Sequence, residues 1–217
     1  MSSPDMSTPL KLLYVYDALC GWCYGFSPVL GSLLADRPGA TVEVVSGGMI
    51  RGARRGPIGE VAGYIKQAYK VVEERCGVTF GRDFVDGPLE AGTMYMTSEP
   101  PAALLAAARE AKPAEQYAAA HALQTGIYYH GLGPDTDELA RHLARGLDLP
   151  EDSMVEARTA ECYRRLAEED FARSQQLGVT GFPVLLMEHG GQYHLLAHGY
   201  VDRAALDGRI AAVGEGR

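Results

Sequence analysis

The chain of 217 residues lacks the features that mark several specialised classes of protein. It has four cysteines, too few for a disulfide-stapled scaffold, and no apolar run that could cross a membrane. With 28 acidic against 20 basic residues, its formal net charge of −8 argues against nucleic acid or an anionic membrane as a partner. The first ten residues lack the basic start and apolar stretch of a secretory signal, so we expect a cytoplasmic protein.

The overall composition is that of an ordinary globular protein. Apolar residues make up 47% of the chain and charged residues 22%, which excludes intrinsic disorder as its main state. The length fits one large domain, or one small domain that carries an insertion. A chain of this size can bury a sufficient core without disulfide bonds.

Strand and helix patterns alternate at the start of the chain. Residues 10–16 predict a buried strand, residues 20–36 a helix and residues 41–46 a second strand. The short connections predict a βαβ unit with two parallel strands. Pro28 falls inside the predicted helix, where a proline either kinks the helix or divides it into two.

The middle of the chain, from about residue 57 to about residue 177, has helical patterns. Asp135 with Glu138, and Ser153 with Glu156, resemble the capping boxes that open helices. The second of these is expected to begin a stretch that is helical to Leu177, with room for one break.

Strand patterns return after residue 178. Residues 184–188 and 193–198 flank two adjacent glycines, which predict an antiparallel hairpin with a type I′ turn. Asp202 is expected to cap a last helix, with Val201 and Leu206 packed together across its first turn. The chain is therefore expected to be an α/β protein of order β-α-β, helical insertion, β-β-α.

The motif Cys20-Gly21-Trp22-Cys23 lies where the first strand passes into the first helix. The first turn of a helix carries unpaired N–H groups and a partial positive charge, which favour a thiolate. We expect Cys20, at the exposed edge, to attack a disulfide and Cys23, one turn further in, to resolve the mixed disulfide. A CxxC motif in a βαβ unit is typical of redox proteins.

A structural zinc site is the alternative use of the two motif cysteines. Zinc needs four ligands, and Cys76 and Cys162 are far apart in the sequence and belong to no motif. His194 and His198, four residues apart on one face of a predicted strand, are the remaining candidates for a second pair. We therefore favour redox chemistry and expect no metal.

The segment from Gly178 to Pro183, Gly-Val-Thr-Gly-Phe-Pro, precedes the third strand. By itself it favours a trans proline, since the trans form is far commoner. Together with the CxxC motif and Pro28, however, it resembles the thioredoxin fold. The helical insertion makes the chain similar to the DsbA family, and residues 16–24 and 46–49 resemble the FrnE-like subgroup of predicted disulfide isomerases.

This resemblance covers roughly residues 10–212. It implies a DsbA-like thioredoxin fold with two parts. Residues 10–55 and 178–217 would form the thioredoxin-fold domain, and residues 56–177 an inserted helical domain.

The resemblance also implies a function, that of a thiol–disulfide oxidoreductase or isomerase for protein substrates. Pro183 would be cis and face the two thiols, while the backbone of Phe182 would hydrogen-bond a substrate strand. Gly21 and Trp22 would lie exposed between the cysteines, with Trp22 as an apolar rim. No cofactor is implied, and glutathione or a thioredoxin-type reductant would serve as the redox partner.

Two further features leave more than one interpretation open. Asp17, three residues before Cys20, either transfers a proton to or from Cys23 or caps the loop. Arg51, Arg54 and Arg55 could bind a carboxylate such as those of glutathione, but a solvated loop is favoured.

Two other functions compete with the redox enzyme. One is a glutathione-dependent isomerase or transferase of the kappa-class or hydroxychromene carboxylate isomerase type, which shares the insertion and the aspartate but has serine where Cys20 stands. The other is a non-catalytic metal- or peptide-binding module. Cys76 and Cys162 are expected to be structural thiols, and the sequence does not predict an oligomeric state.

Overall fold

Nine α-helices and six strands make up residues 9–216, the part of the chain that this computed structural model describes. In chain order they are β1 (Lys11–Tyr16), α1 (Gly21–Ala35), β2 (Thr41–Ser46), β3 (Gly56–Pro57), α2 (Ala62–Cys76), α3 (Arg82–Phe84), β4 (Tyr95–Met96), α4 (Glu99–Ala111), α5 (Gln116–Tyr128), α6 (Asp137–Gly146), α7 (Glu151–Ala157), α8 (Glu161–Gln176), β5 (Val184–His189), β6 (Gln192–His198) and α9 (Arg203–Gly214).

The main sheet has the strand order β2-β1-β5-β6. β1 pairs in parallel with β2 and antiparallel with β5, and β5 and β6 form an antiparallel hairpin. Alternation along β1 sends Tyr14 and Tyr16 into the large core with α1, and Leu13 and Val15 into a smaller cluster on the other face. The predicted α/β thioredoxin fold, with parallel first strands and a terminal β-β-α, is confirmed.

Helix α1 is continuous across Pro28, so it does not divide into two helices there. Pro28 itself is exposed. Next to it, the Tyr117 hydroxyl of α5 donates a hydrogen bond of 2.8 Å to the Ser27 carbonyl. Tyr117 reaches it across Gly31, where a Cβ would come within 2.3 Å of the tyrosine oxygen. The inserted helices therefore pack closely on the helix that carries the CxxC motif.

Both predicted capping boxes are wrong in position. Helix α6 is capped by Thr136, whose hydroxyl accepts a hydrogen bond from the Leu139 N–H at 3.3 Å, and not by Asp135. Helix α7 begins at Glu151, directly after Pro150, so Ser153 lies inside it. Glu151 and Asp152 place acidic side chains in the first turn, which favours a helix start earlier than the one that Ser153 would cap. The expected break in the following stretch separates α7 from α8.

The predicted hairpin turn and the predicted cap of the last helix are both confirmed. Gly190 and Gly191 have φ values of 59° and 75°, the positive values that a type I′ turn requires at both positions. Asp202 caps α9 by accepting a hydrogen bond of 2.8 Å from the Ala205 N–H.

The open edge of β2 is covered by side chains from the helices that follow it. The Val44 N–H donates to Gln116 Oε1 at 2.9 Å, and Arg109 donates to the Val44 carbonyl at 2.9 Å. The Ser46 N–H donates to Asp170 at 3.1 Å. Side chains of helices α4, α5 and α8 thus bind backbone N–H and carbonyl groups of β2 that would otherwise be open to pairing with another chain. Domain boundaries at residues 56 and 177 stay a prediction.

Within residues 9–216, no helix combines the length and the apolar character needed to cross a membrane.

Candidate active site

Cys20 occupies the N-cap position of α1. A short turn brings it there from the end of β1, held by a hydrogen bond of 3.1 Å from the Cys20 N–H to the Asp17 carbonyl. Its sulfur accepts a hydrogen bond from the Cys23 N–H at 3.4 Å, as a serine or aspartate oxygen does in an ordinary cap. The first turn of α1 therefore directs one of its unpaired backbone N–H groups at the sulfur of Cys20.

The two motif cysteines have different surroundings. Both are free thiols, but Cys20 retains 6% of its surface exposed whereas Cys23 is fully buried. Burial raises the pKa of the Cys23 thiol well above its usual range, and the sulfur of Cys20 and the charge of Asp17 raise it further. Cys23 therefore stays protonated until a base removes its proton, which suits a resolving cysteine.

The segment before β5 closes the site from the other side. The Phe182–Pro183 peptide bond is cis, Pro183 is buried, and the Cys20 thiol lies 3.7 Å from the Phe182 carbonyl oxygen. The ring of Phe182 rests on Gly47, where a Cβ would come within 2.0 Å of it. Gly47 is needed here because any side chain would displace Phe182 from its place beside Cys20.

Asp17 is buried, with 1% of its surface exposed, and its carboxylate is held by several donors. It accepts hydrogen bonds from the Leu19 N–H at 3.0 Å, the Met49 N–H at 2.7 Å and the Ser98 hydroxyl at 3.0 Å. Burial raises the pKa of the Asp17 carboxyl, and these donors oppose that rise. The loop-capping role is therefore present in the structure, and the charge of the carboxylate also acts on the buried Cys23 thiol.

Gly21 and Trp22 are less exposed than expected, since both are half-buried. A Cβ on Gly21 would lie 3.6 Å from the ring of Phe80, so this residue backs onto the inserted segment. Trp22 packs partly against the core and keeps the rest of its surface in solvent. The two residues between the cysteines therefore expose less surface than the predicted apolar rim would.

Sequence reasoning missed an aromatic cluster beside the CxxC motif. Phe80 is at its centre, and its ring centroid is 5.1 Å from that of Tyr128. The burial that raises the pKa of the Tyr128 hydroxyl is reinforced by the nearby Cys20, Asp17 and Cys23. No local signal marks these rings, because they come from separate helices and loops. The cluster consists of Tyr24, Tyr69, Phe80, Phe84 and Tyr128.

The histidine pair considered as zinc ligands does not form. The register of β5 and β6 shifts between Leu185 and Leu186, which leaves an extra residue in β6. As a result His194 is opposite Met187 and His198 is opposite Val184, on different faces of the sheet. The prediction of one shared face is therefore wrong. Within residues 9–216 no group of three or more potential metal ligands comes together.

The two remaining cysteines have different surroundings. Cys76 packs against α1, its sulfur 2.7 Å from where a Cβ of Gly25 would be, and burial raises its pKa to about 11. This fits a structural thiol. Cys162, by contrast, is exposed on α8, so its sulfur does not serve core packing.

The arginine cluster splits in two. The guanidinium of Arg51 lies 4.2 Å above the ring of Phe171 and pairs with Glu168, so α8 holds it in place. Arg54 and Arg55 are exposed, as a solvated loop predicts. The three arginines therefore do not form one anion-binding patch.

Comparison with solved structures gives several matches over nearly the whole chain. A protein provisionally described as a protein disulfide isomerase from Nitrosomonas europaea is 22% identical, with a TM-score of 0.80, and 97% of this chain and 100% of that one are covered. The cytosolic disulfide reductase DsbM from Pseudomonas aeruginosa is 28% identical, with a TM-score of 0.79 and coverages of 96% and 99%.

A third structure, of 2-hydroxychromene-2-carboxylate isomerase, is 14% identical with a TM-score of 0.64, covers 94% of this chain and 95% of its own, and shows a shared fold. No curated protein sequence matches this chain. A sequence profile of the DSBA-like thioredoxin domain matches residues 11–211. The match spans nearly the entire chain. The chain therefore belongs to the family of DSBA-like thioredoxin domains.

Proposed function

We propose that this protein is a thiol–disulfide oxidoreductase or isomerase that acts on protein disulfides through Cys20 and Cys23. One observation carries the proposal. The Cys20 sulfur caps α1, accepts the Cys23 N–H and faces the Phe182 carbonyl beside the cis Pro183. The likeness to the disulfide reductase DsbM, over 96% of this chain, supports the same chemistry.

The reaction would proceed in two exchanges. The Cys20 thiolate attacks one sulfur of a substrate disulfide, forming a mixed disulfide and releasing the other substrate sulfur as a thiolate. Cys23 then loses its proton and attacks the Cys20 sulfur, which releases the second substrate thiolate. Two electrons pass to the substrate, and the protein is left with a Cys20–Cys23 disulfide.

In this proposal Asp17 receives the Cys23 proton. The charge of its carboxylate acts on that buried thiol, and the raised pKa of Asp17 makes the carboxylate a stronger base than an ordinary aspartate. The proton can then go to the departing substrate thiolate, so that the transfer balances. Phe182, next to Cys20, would offer its backbone to the substrate strand.

Reduction of the disulfide would complete the cycle, and glutathione fits this step. Two glutathione molecules supply the two electrons and become glutathione disulfide. DsbM has also been solved with GSH, which supports glutathione as a redox partner. If the reduction potential of the Cys20–Cys23 pair is low, the protein would act in the cytoplasm as a reductase or an isomerase. A difference of about 30 mV in this potential corresponds to about 1.4 kcal/mol for a two-electron couple. Membership of the FrnE-like subgroup stays a prediction.

A redox titration in glutathione buffers tests the proposal, with alkylation and mass spectrometry reporting on each cysteine. We expect one two-electron transition confined to Cys20 and Cys23. Cys20→Ser should abolish reduction of a protein disulfide, and the matched Cys76→Ser should leave the activity intact. An active Cys20→Ser variant would overturn the assignment. Saturable glutathione binding without either motif thiol would favour the glutathione-dependent isomerase, and one zinc bound per chain the metal module.

A further inference from the structure

Ser98 precedes α4, and its hydroxyl is not used to cap that helix. It is the N-cap residue, and N-cap serines ordinarily accept a hydrogen bond from the second or third residue of the helix. Those residues are Pro100 and Pro101, which have no N–H to donate. The hydroxyl makes no capping bond and is free for another partner.

That partner is the carboxylate of Asp17. The Ser98 hydroxyl donates to Asp17 Oδ1 at 3.0 Å and accepts a hydrogen bond from the Ile50 N–H at 3.0 Å. A second link, from the Ser98 N–H to the Ile50 carbonyl at 2.9 Å, joins the same two segments. Because the Ile50 N–H occupies a lone pair of the Ser98 oxygen, the single hydroxyl proton of Ser98 is directed at Asp17. Ser98 is 2% exposed, so water does not compete freely for this bond.

Asp17 depends on such neutral donors because it has no cationic partner. Among residues 9–216 no lysine, arginine or histidine forms an ion pair with it. The titratable groups that face it are Tyr16 of β1, Cys23 of α1 and Tyr128 of α5. Burial raises the pKa of all three, so they are neutral near pH 7 and do not balance its charge.

We propose that Ser98 is a positioning residue for the redox site, holding the Asp17 carboxylate ionised and oriented to accept the proton of Cys23. This rests on the proposed role of Asp17 in disulfide exchange. The inserted segment would thereby supply a part of the site that the thioredoxin-fold strands and α1 do not contain. The other hydrogen bonds to Asp17 come from main-chain N–H groups, so Ser98 is the donor that a substitution can remove.

Removal of the hydroxyl should make Asp17 harder to ionise. A hydrogen bond to a charged group contributes enough to change an ionisation constant roughly tenfold, which is about one pH unit. The pH midpoint of the resolving step, in which Cys23 attacks Cys20, should therefore rise by about one unit. The attack by Cys20 on a substrate should keep its pH profile.

The first test measures Asp17 directly, by carbon NMR titration of its carboxyl group in the reduced protein. In Ser98→Ala and Ser98→Gly the midpoint should rise by about one unit. Ser98→Thr, which keeps the hydroxyl, should restore it. Thr136→Ala is the matched control, because it removes a hydroxyl that caps α6 away from the site. An unchanged midpoint in both hydroxyl-free variants would overturn the proposal.

The second test separates Ser98 from the proposed function itself. Single-turnover oxidation by glutathione disulfide, followed through Trp22 fluorescence, gives the resolving step, and alkylation of Cys20 in a Cys23→Ser background gives the reactivity of the attacking thiol. If Ser98→Ala shifts the pH profile of the resolving step and leaves that of Cys20 alkylation unchanged, the result supports the proposal. A shifted NMR titration with no disulfide between Cys20 and Cys23 in the unmodified protein would refute the redox function and leave the Ser98–Asp17 contact standing.

Discussion

Two buried aspartates, Asp17 and Asp170, show two ways of holding a carboxylate inside this protein. They are 1% and 6% exposed; Asp17 accepts hydrogen bonds from the N–H groups of Leu19 and Met49, and Asp170 accepts one from the N–H of Ser46. Asp170 also makes two hydrogen bonds of 3.1 Å to the guanidinium of Arg109. Asp17 has the Ser98 hydroxyl in the corresponding place.

The difference lies in whether the charge of the carboxylate can change. Burial raises the pKa of both groups, but at Asp170 the charge of Arg109 is the chief opposing influence, whereas at Asp17 only neutral donors oppose it. An arginine keeps its charge, so it fixes Asp170 as an ion that joins α4, α8 and β2. Neutral donors leave Asp17 able to gain and lose a proton, as a base beside Cys23 must.

The largest effect is expected where the ion pair is broken. Arg109→Met leaves Asp170 as an uncompensated buried charge and should lower the free energy of unfolding by about 3–5 kcal/mol. Urea unfolding at pH 7 measures this. The exposed pair Arg82–Asp86 is the control, and Arg82→Ala should cost less than about 0.5 kcal/mol. Equal losses in the two variants would show that Arg109 does not support a buried charge.

A smaller, pH-dependent effect is expected at Asp17. Because its pKa is raised in the folded protein, the unfolded chain ionises first, and stability falls as the pH rises from the ordinary value of 3.8 through the folded pKa. The unmodified protein should lose up to about 1.4 kcal/mol per pH unit in this window relative to Asp17→Asn. Denaturant unfolding between pH 4 and pH 8 measures the difference.

The control for that experiment is Asp83→Asn, which removes an exposed carboxylate instead of a buried one. If stability relative to Asp17→Asn instead rises with pH, the folded pKa of Asp17 is lowered. The contrast between the two aspartates would then fail.

The smallest effect is expected at Tyr16, whose hydroxyl lies near both aspartates. It is fully buried and has no hydrogen-bond partner among residues 9–216. Removing an unpartnered polar group costs no hydrogen bond, so Tyr16→Phe should leave the free energy of unfolding unchanged or raise it by about 1 kcal/mol. A loss of more than about 1 kcal/mol, set against a neutral Tyr64→Phe at an exposed site, would show that the hydroxyl is bonded.

Local patterns in the sequence predicted features that depend on local geometry. The hairpin at Gly190–Gly191 and the cap at Asp202 follow from residues adjacent in the chain, and both are present. The capping box at Asp135 failed because the neighbouring Thr136 caps α6, and the one at Ser153 failed because α7 begins at Glu151, before the serine. The histidine pair failed because a single extra residue in β6 changes which face each side chain occupies.

The βαβ start, the terminal β-β-α and the position of Cys20 and Cys23 at the head of α1 could be predicted from the sequence, because they depend on periodicity and on neighbours in the chain. The packing of Phe182 on Gly47, of Phe80 and Tyr128 near the motif, and the bond from Ser98 to Asp17 are seen in the folded protein alone. These contacts join residues that are far apart in the chain, from the 48 positions between Phe80 and Tyr128 to the 135 positions between Gly47 and Phe182. Their formation depends on how whole helices and strands pack.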